Sequence, residues 1–93
     1  MEAILTRPNG SIKTISPEDG NFFSDEEILK HLKCSEYQIF EPAFITSRDY
    51  ILIADSESEE KNSSINSFAT NFYGYEGKTL SGNIIICPSY LLK

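Results

Sequence analysis

The apolar run Ala3-Ile4-Leu5 stops at Arg7-Pro8-Asn9-Gly10-Ser11, and Ile12 and Ile15 carry a second extended run beyond it. Asn-Gly readily takes the positive φ angles of a tight turn, so this pattern predicts an opening β-hairpin. Ser16-Pro17-Glu18-Asp19-Gly20 then ends the second strand, because proline and glycine suit a loop better than a continuing ladder. Ser24-Asp25-Glu26-Glu27 has the spacing of a capping box and predicts a helix starting at Asp25. Ile28, Leu29 and Leu32 form its apolar stripe. Acidic residues fall in its first turn and Lys30 and Lys33 near its end, as the helix dipole favours.

Tyr37-Gln38-Ile39-Phe40 is aromatic and β-branched, and Ala43-Phe44-Ile45 prolongs it past Pro42 before a turn at Thr46-Ser47-Arg48-Asp49. Pro42 places this strand at a sheet edge or a bulge. Tyr50 to Ala54, "YILIA", reads as a buried strand that pairs with it in a second hairpin. Asp55 to Ser64, "DSESEEKNSS", holds no apolar residue and is expected to be solvated and mobile. Ile65, Phe68, Ala69 and Phe72 recur at i, i+3, i+4 and i+7, which predicts a second helix with these four on its buried face. Gly74 and Gly77 end it, and Ile84-Ile85-Ile86-Cys87 ahead of Pro88 predicts a final, central strand.

The element order is therefore β-β-α-β-β-α-β, an α+β domain with a mostly antiparallel sheet and two short helices covering one face. A chain of 93 residues accommodates a single core, so residues 1–93 are taken as one compact domain.

Composition narrows the function. Eight basic and fourteen acidic residues give a formal charge of −6, which repels a phosphate backbone and argues against direct nucleic-acid binding. The same charge suits a partner protein with a basic surface, and it equally serves solubility. The chain has no apolar run of membrane-spanning length and no basic leader, which predicts a cytoplasmic protein that does not enter the membrane. Cys34 and Cys87 form no CxxC pair and only one histidine is present, so neither a zinc site nor any cofactor is expected. Both cysteines are read as buried, reduced thiols.

No stretch assembles a catalytic constellation. His31 and Cys34 are close enough along a helix to meet, but no third residue orients them, and an enzyme is not expected. Asp55, Glu57 and Glu59 alternate as in a calcium loop. Glu60 stands where the loop's glycine is needed, however, and Asn66 where its closing carboxylate belongs.

Two surfaces remain as partner-binding candidates: the acidic run Asp55, Glu57, Glu59 and Glu60, and a polar surface of Asn66, Thr70 and Tyr73, with Tyr75 beside it. The alternative for the second is structural, with Asn66 and Thr70 satisfying backbone groups and the tyrosines packing at the rim.

The opening "AILTRPNGSI", the segment Tyr37-Gln38-Ile39, the strand "YILIAD" and the closing "SGNIIIC" together resemble a small domain-of-unknown-function family common in bacteriophages and conjugative elements. The distinctive element is the Asn-x-x-Ala-Thr-x-x-Tyr signature, read here as Asn66-Ser67-Phe68-Ala69-Thr70-Asn71-Phe72-Tyr73 and followed by Gly82-Asn83-Ile84-Ile85-Ile86. The chain departs from that family in its longer acidic loop and in lacking paired glycines between the first helix and the next strand. The resemblance implies a mobile-element protein. Combined with the charge, it suggests a non-enzymatic inhibitor of a host nucleic-acid-targeting defence protein. A sponge or sensor holding a nucleotide-like ligand with Asn66, Thr70, Tyr73 and Tyr75 is the alternative.

Overall fold

The computed structural model describes residues 2–44 and 49–92. Its elements are β1 (Ala3–Thr6), β2 (Ile12–Ile15), α1 (Asp25–Leu32), β3 (Tyr37–Phe40), β4 (Tyr50–Asp55), α2 (Ser67–Tyr73) and β5 (Ile84–Pro88), with a 3-10 turn at Ser89–Leu91. The five strands form one sheet in the order β2-β1-β5-β4-β3, and every pairing is antiparallel. The α+β class, the element order and the central position of the last strand are those the pattern predicts.

The helices are divided between the two faces instead of sharing one. Ile28 and Leu32 of α1 pack with Ala3, Leu5, Ile53 and Ile85, whereas Ala69 of α2 packs with Leu52, Ala54, Ile84 and Ile86. Successive strand residues point to opposite faces, so the unbroken apolar runs of β4 and β5 need cover on both sides. Each of the residues Ile51–Asp55 and Ile84–Pro88 is buried.

Local signals explain the helix ends. Ser24 caps α1: its hydroxyl accepts from the Glu27 amide at 3.2 Å, and the Glu27 carboxylate accepts from the Ser24 amide at 3.0 Å. Glu27 also accepts from the Glu18 amide at 2.8 Å, which ties the preceding loop to the helix.

The start of α2 differs from expectation. Asn66 is its N-cap, with extended φ and ψ of −96° and 98°, so Ile65 lies outside the helix in an isolated bridge to Ser81. Ile65 and Phe68 are exposed, and the face turned to the sheet is Ala69, Phe72 and Tyr73. Gly74 ends the helix in the left-handed region at φ 79°, its amide donating to the Thr70 carbonyl.

β3 also ends earlier than expected, at Phe40. Beyond it the Ala43 amide donates to the Tyr73 carbonyl at 2.8 Å, drawing the chain off the sheet toward the end of α2. The turn expected at Thr46–Asp49 falls, apart from Asp49, outside the described residues, as does Ile45. Among the described residues no helix is long and apolar enough to cross a membrane.

Candidate functional site

The acidic segment after β4 is folded into consecutive turns. Ser58 donates its amide to Asp55, Lys61 to Glu57, Asn62 to Glu59 and Ser63 to Ser58, at 3.0–3.2 Å. A segment without apolar residues holds this shape through Asp55, whose carboxylate accepts from the Lys61 ammonium at 2.7 Å and from the Glu57 amide at 2.9 Å. Burial opposes ionisation of Asp55, yet the bonds from Lys61 and Glu57 outweigh it and hold the carboxyl below its ordinary value of 3.8. The same pairing raises the Lys61 ammonium.

The four acidic candidates therefore separate by task. Asp55 is buried and organises the loop. Glu57 is half-buried and accepts from the Ser35 hydroxyl at 3.5 Å, linking the loop to the segment after α1. Glu59 and Glu60 are exposed, and neither carboxylate pairs with a cation among the described residues. They border a cavity of about 250 Å³ whose other walls include Gln38, Phe40, Ser56 and Thr79.

The Asn66–Thr70 pair is turned inward. Asn66 is fully buried, and its carbonyl oxygen accepts from the Ala69 amide at 3.0 Å. Its side-chain amide donates to the Thr6 hydroxyl and to the Gly82 carbonyl, each at 3.0 Å. The Thr6 hydroxyl donates onward to the Ile84 carbonyl at 2.9 Å. Thr70 accepts from the Leu80 amide at 2.9 Å and donates to the Leu80 carbonyl at 3.2 Å. These bonds join β1, α2 and β5 and satisfy polar groups that burial would otherwise leave at a cost. Asn66 has no surface left to offer a partner, whereas Thr70 makes its two bonds to Leu80 while staying half-buried on the border of the cavity beside Tyr75.

Tyr73 is half-buried in a row of rings. Phe40 meets it edge-on with centroids 5.5 Å apart, and Tyr75 lies tilted against it at 4.8 Å. Tyr75 and Phe44 are exposed and border a cavity of about 410 Å³ with Glu76 and Thr79. Phe40 and Thr79 belong to both neighbourhoods. They bring the Glu59–Glu60 surface and the tyrosine surface, separate in sequence, into one continuous region.

The residues considered for catalysis lie elsewhere. The His31 ring meets Phe23 edge-on at 6.5 Å, and the half-buried Cys34 thiol donates to the Glu36 carbonyl at 3.3 Å. Burial raises the Cys34 thiol and pushes Cys87 up to about 11, so both hold their protons at neutral pH. Both cysteines are free, and Cys34 is less buried than its sequence neighbours imply. Among the described residues no three His, Cys, Asp or Glu side chains come together as a metal group.

Sequence reasoning missed two features. Thr6 gives no signal of its own, since a threonine in a strand is ordinary. The second is a cavity of about 430 Å³ between the loop ahead of α1 and β3, bordered by Phe22, Phe23, Asp25, Tyr37, Ile39 and Leu92. Alternation of Ile39 with Gln38 would place Ile39 on a buried face, yet both are exposed.

Comparison with family models, with curated proteins and with solved structures gave no match. The family resemblance rests on the quoted residues alone.

Proposed function

We propose that this chain is a non-enzymatic binding protein that presents an acidic, aromatic-edged surface to a basic surface on a partner protein. The supporting observation is the continuity between Glu59 and Glu60, exposed and without cation partners among the described residues, and the ring series Phe40, Tyr73 and Tyr75. Unpaired carboxylates steer a cationic partner, and aromatic rings supply contact area at low entropic cost. Within this proposal the partner is a host protein that handles nucleic acid, such as a defence nuclease, and the chain inhibits it by occupying the basic channel. The net charge of −6 and the mobile-element resemblance support that choice.

The nucleotide-like ligand reading is weaker. Asn66 is buried and Thr70 is bonded to Leu80 within the fold, and the cavity beside Tyr75 balances Lys78 with Glu76, so it offers an anion no net positive charge.

The test is affinity capture from host lysate at low and high salt, with nuclease-treated controls and a Glu59→Lys/Glu60→Lys variant alongside. The proposal expects one protein that survives nuclease treatment, is lost at high salt and is not captured by the variant. Capture unaffected by salt and by charge reversal would reject it. Thermal stabilisation by a nucleotide would move the assignment to the ligand reading.

A further inference from the structure

β3 is an edge strand with one pairing among the described residues, to β4. The Ser56 amide donates to the Glu36 carbonyl at 3.1 Å, one step beyond the Tyr37–Asp55 pair. Hydrogen-bonded pairs alternate along an antiparallel ladder. Gln38 and Phe40 therefore direct their N–H and C=O groups to β4, and Tyr37 and Ile39 direct theirs to the open edge.

Edge strands are ordinarily blunted by a lysine, a proline or a bulge. The opposite edge, β2, carries Lys13 at its centre, whereas Tyr37-Gln38-Ile39-Phe40 holds no charge. Ile39 is 48% exposed and Phe22 beside it 39%.

Each face of this edge also carries a cavity. Tyr37 and Ile39 border the one of about 430 Å³ with Phe22 and Leu92, and Gln38 and Phe40 border the one of about 250 Å³ with Glu59 and Glu60. A strand added to β3 would direct alternate side chains into the two cavities. The first is edged chiefly by Phe22, Phe23, Ile39 and Leu92, its two carboxylates being engaged within the fold, Asp25 by the Tyr37 hydroxyl and Asp19 by the Asn21 and Phe22 amides. The second is edged by the exposed Glu59 and Glu60.

We infer that β3 is a docking edge for an extended segment of a partner protein in which apolar residues alternate with lysine or arginine. The backbone of that segment pairs with the outward groups of Tyr37 and Ile39, which gives affinity. Its alternate side chains meet the Phe22, Ile39 and Leu92 side and the Glu59 and Glu60 side, which gives specificity. A second copy of this chain is a poorer occupant, since its β3 supplies no cation for Glu59 and Glu60 and brings a further charge of −6. The inference rests on the binding-protein reading and names the partner's recognised element.

The test uses the full chain and the peptide acetyl-KVKVKV-amide, followed by amide NMR with hydrogen exchange. Saturating peptide is expected to slow exchange at the Tyr37 and Ile39 amides about tenfold or more, since exchange then proceeds from the free fraction, and to leave Gln38 and Phe40 nearly unchanged. The peptide acetyl-EVEVEV-amide is expected not to bind. Glu59→Gln/Glu60→Gln should weaken KVKVKV about five- to tenfold and flatten its salt dependence.

Ile39→Pro removes an outward N–H while keeping the β4 ladder and should abolish docking. Ile39→Lys covers the case in which the proline variant unfolds and should also remove binding, by placing a charge in the apolar seat.

Absence of saturable binding overturns the inference. So does protection at Ile12–Ile15 instead of β3, or self-association of the chain through β3. Lysate capture that persists in a folded Ile39 variant would overturn strand addition and leave the binding-protein reading standing. Peptide docking without charge-dependent capture would do the reverse.

Discussion

The Asn66 side chain donates to the Thr6 hydroxyl at 3.0 Å across most of the chain's length, and through Thr6 it reaches the Ile84 carbonyl. One amide thus caps α2, ties the helix to β1 and holds the Gly82 carbonyl at the entry to β5. Asn66→Ala removes the cap and strands the Gly82 and Ala69 backbone groups, so it should cost about 3 kcal/mol. Asn66→Asp retains the cap acceptor but turns a carboxylate toward the Gly82 carbonyl, and should destabilise at least as much. Urea unfolding of the three proteins measures this. A loss below about 0.5 kcal/mol for Asn66→Ala would show that the network does not act as described.

Thr70 performs a parallel task with one atom, accepting from and donating to the same residue, Leu80. Thr70→Val keeps the shape and loses both bonds, for an expected cost of about 1–2 kcal/mol. Thr70→Ser keeps the bonds and should cost less. Binding of the captured partner should persist in Thr70→Val once stability is allowed for. If Thr70→Val removes binding without loss of stability, the hydroxyl belongs to the surface.

These two residues also mark how far the sequence could be read. The hairpins, the capping box at Ser24 and the central strand follow from local chemistry that does not depend on distant partners. The inward turn of Asn66 depends on Thr6 and Gly82, which no spacing rule brings together. Ile65 mimics the first position of a helical stripe because an N-cap and the residue before it leave the period undisturbed in the sequence. The division of the helices was legible in principle, since "YILIA" and "IIIC" are apolar at consecutive positions and a sheet covered on one face would alternate. The acidic loop and Tyr73 were each visible, but their meeting through Phe40 is a tertiary fact.

Acid should weaken the fold through Asp55 and Glu27. Backbone bonds from Ser24 and then Glu18 lower the Glu27 carboxyl from its ordinary 4.5, and Asp55 is lowered from 3.8. With both folded values depressed, the unfolded chain binds more protons in acid. Each group then contributes stability that is present above its ordinary value and lost as the pH falls through the lowered one. Urea midpoints should hold from about pH 7 to about pH 5 and fall steeply below about pH 4. Asp55→Asn should lower the midpoint near neutrality and shrink the acid loss, as should Glu27→Gln. An acid limb identical to wild type in both variants would assign it to other carboxylates.

The helix end at Gly74 sets the position of an exposed ring. At φ 79° a Cβ on this residue would press into the ring of Phe44, which stands 56% exposed over the helix terminus. Gly74→Ala carries two costs: about 1–2 kcal/mol for the left-handed backbone and a further part for displacing the ring. Phe44→Ala alone should lie within about 0.5 kcal/mol of wild type, because the ring is largely in solvent. Gly74→Ala in the Phe44→Ala background should retain the backbone cost and lose the steric one. A double-mutant cycle by urea unfolding isolates that difference. An equal cost in both backgrounds would place the Phe44 ring away from the helix cap in solution, and with it the rim of the aromatic surface beside Tyr75.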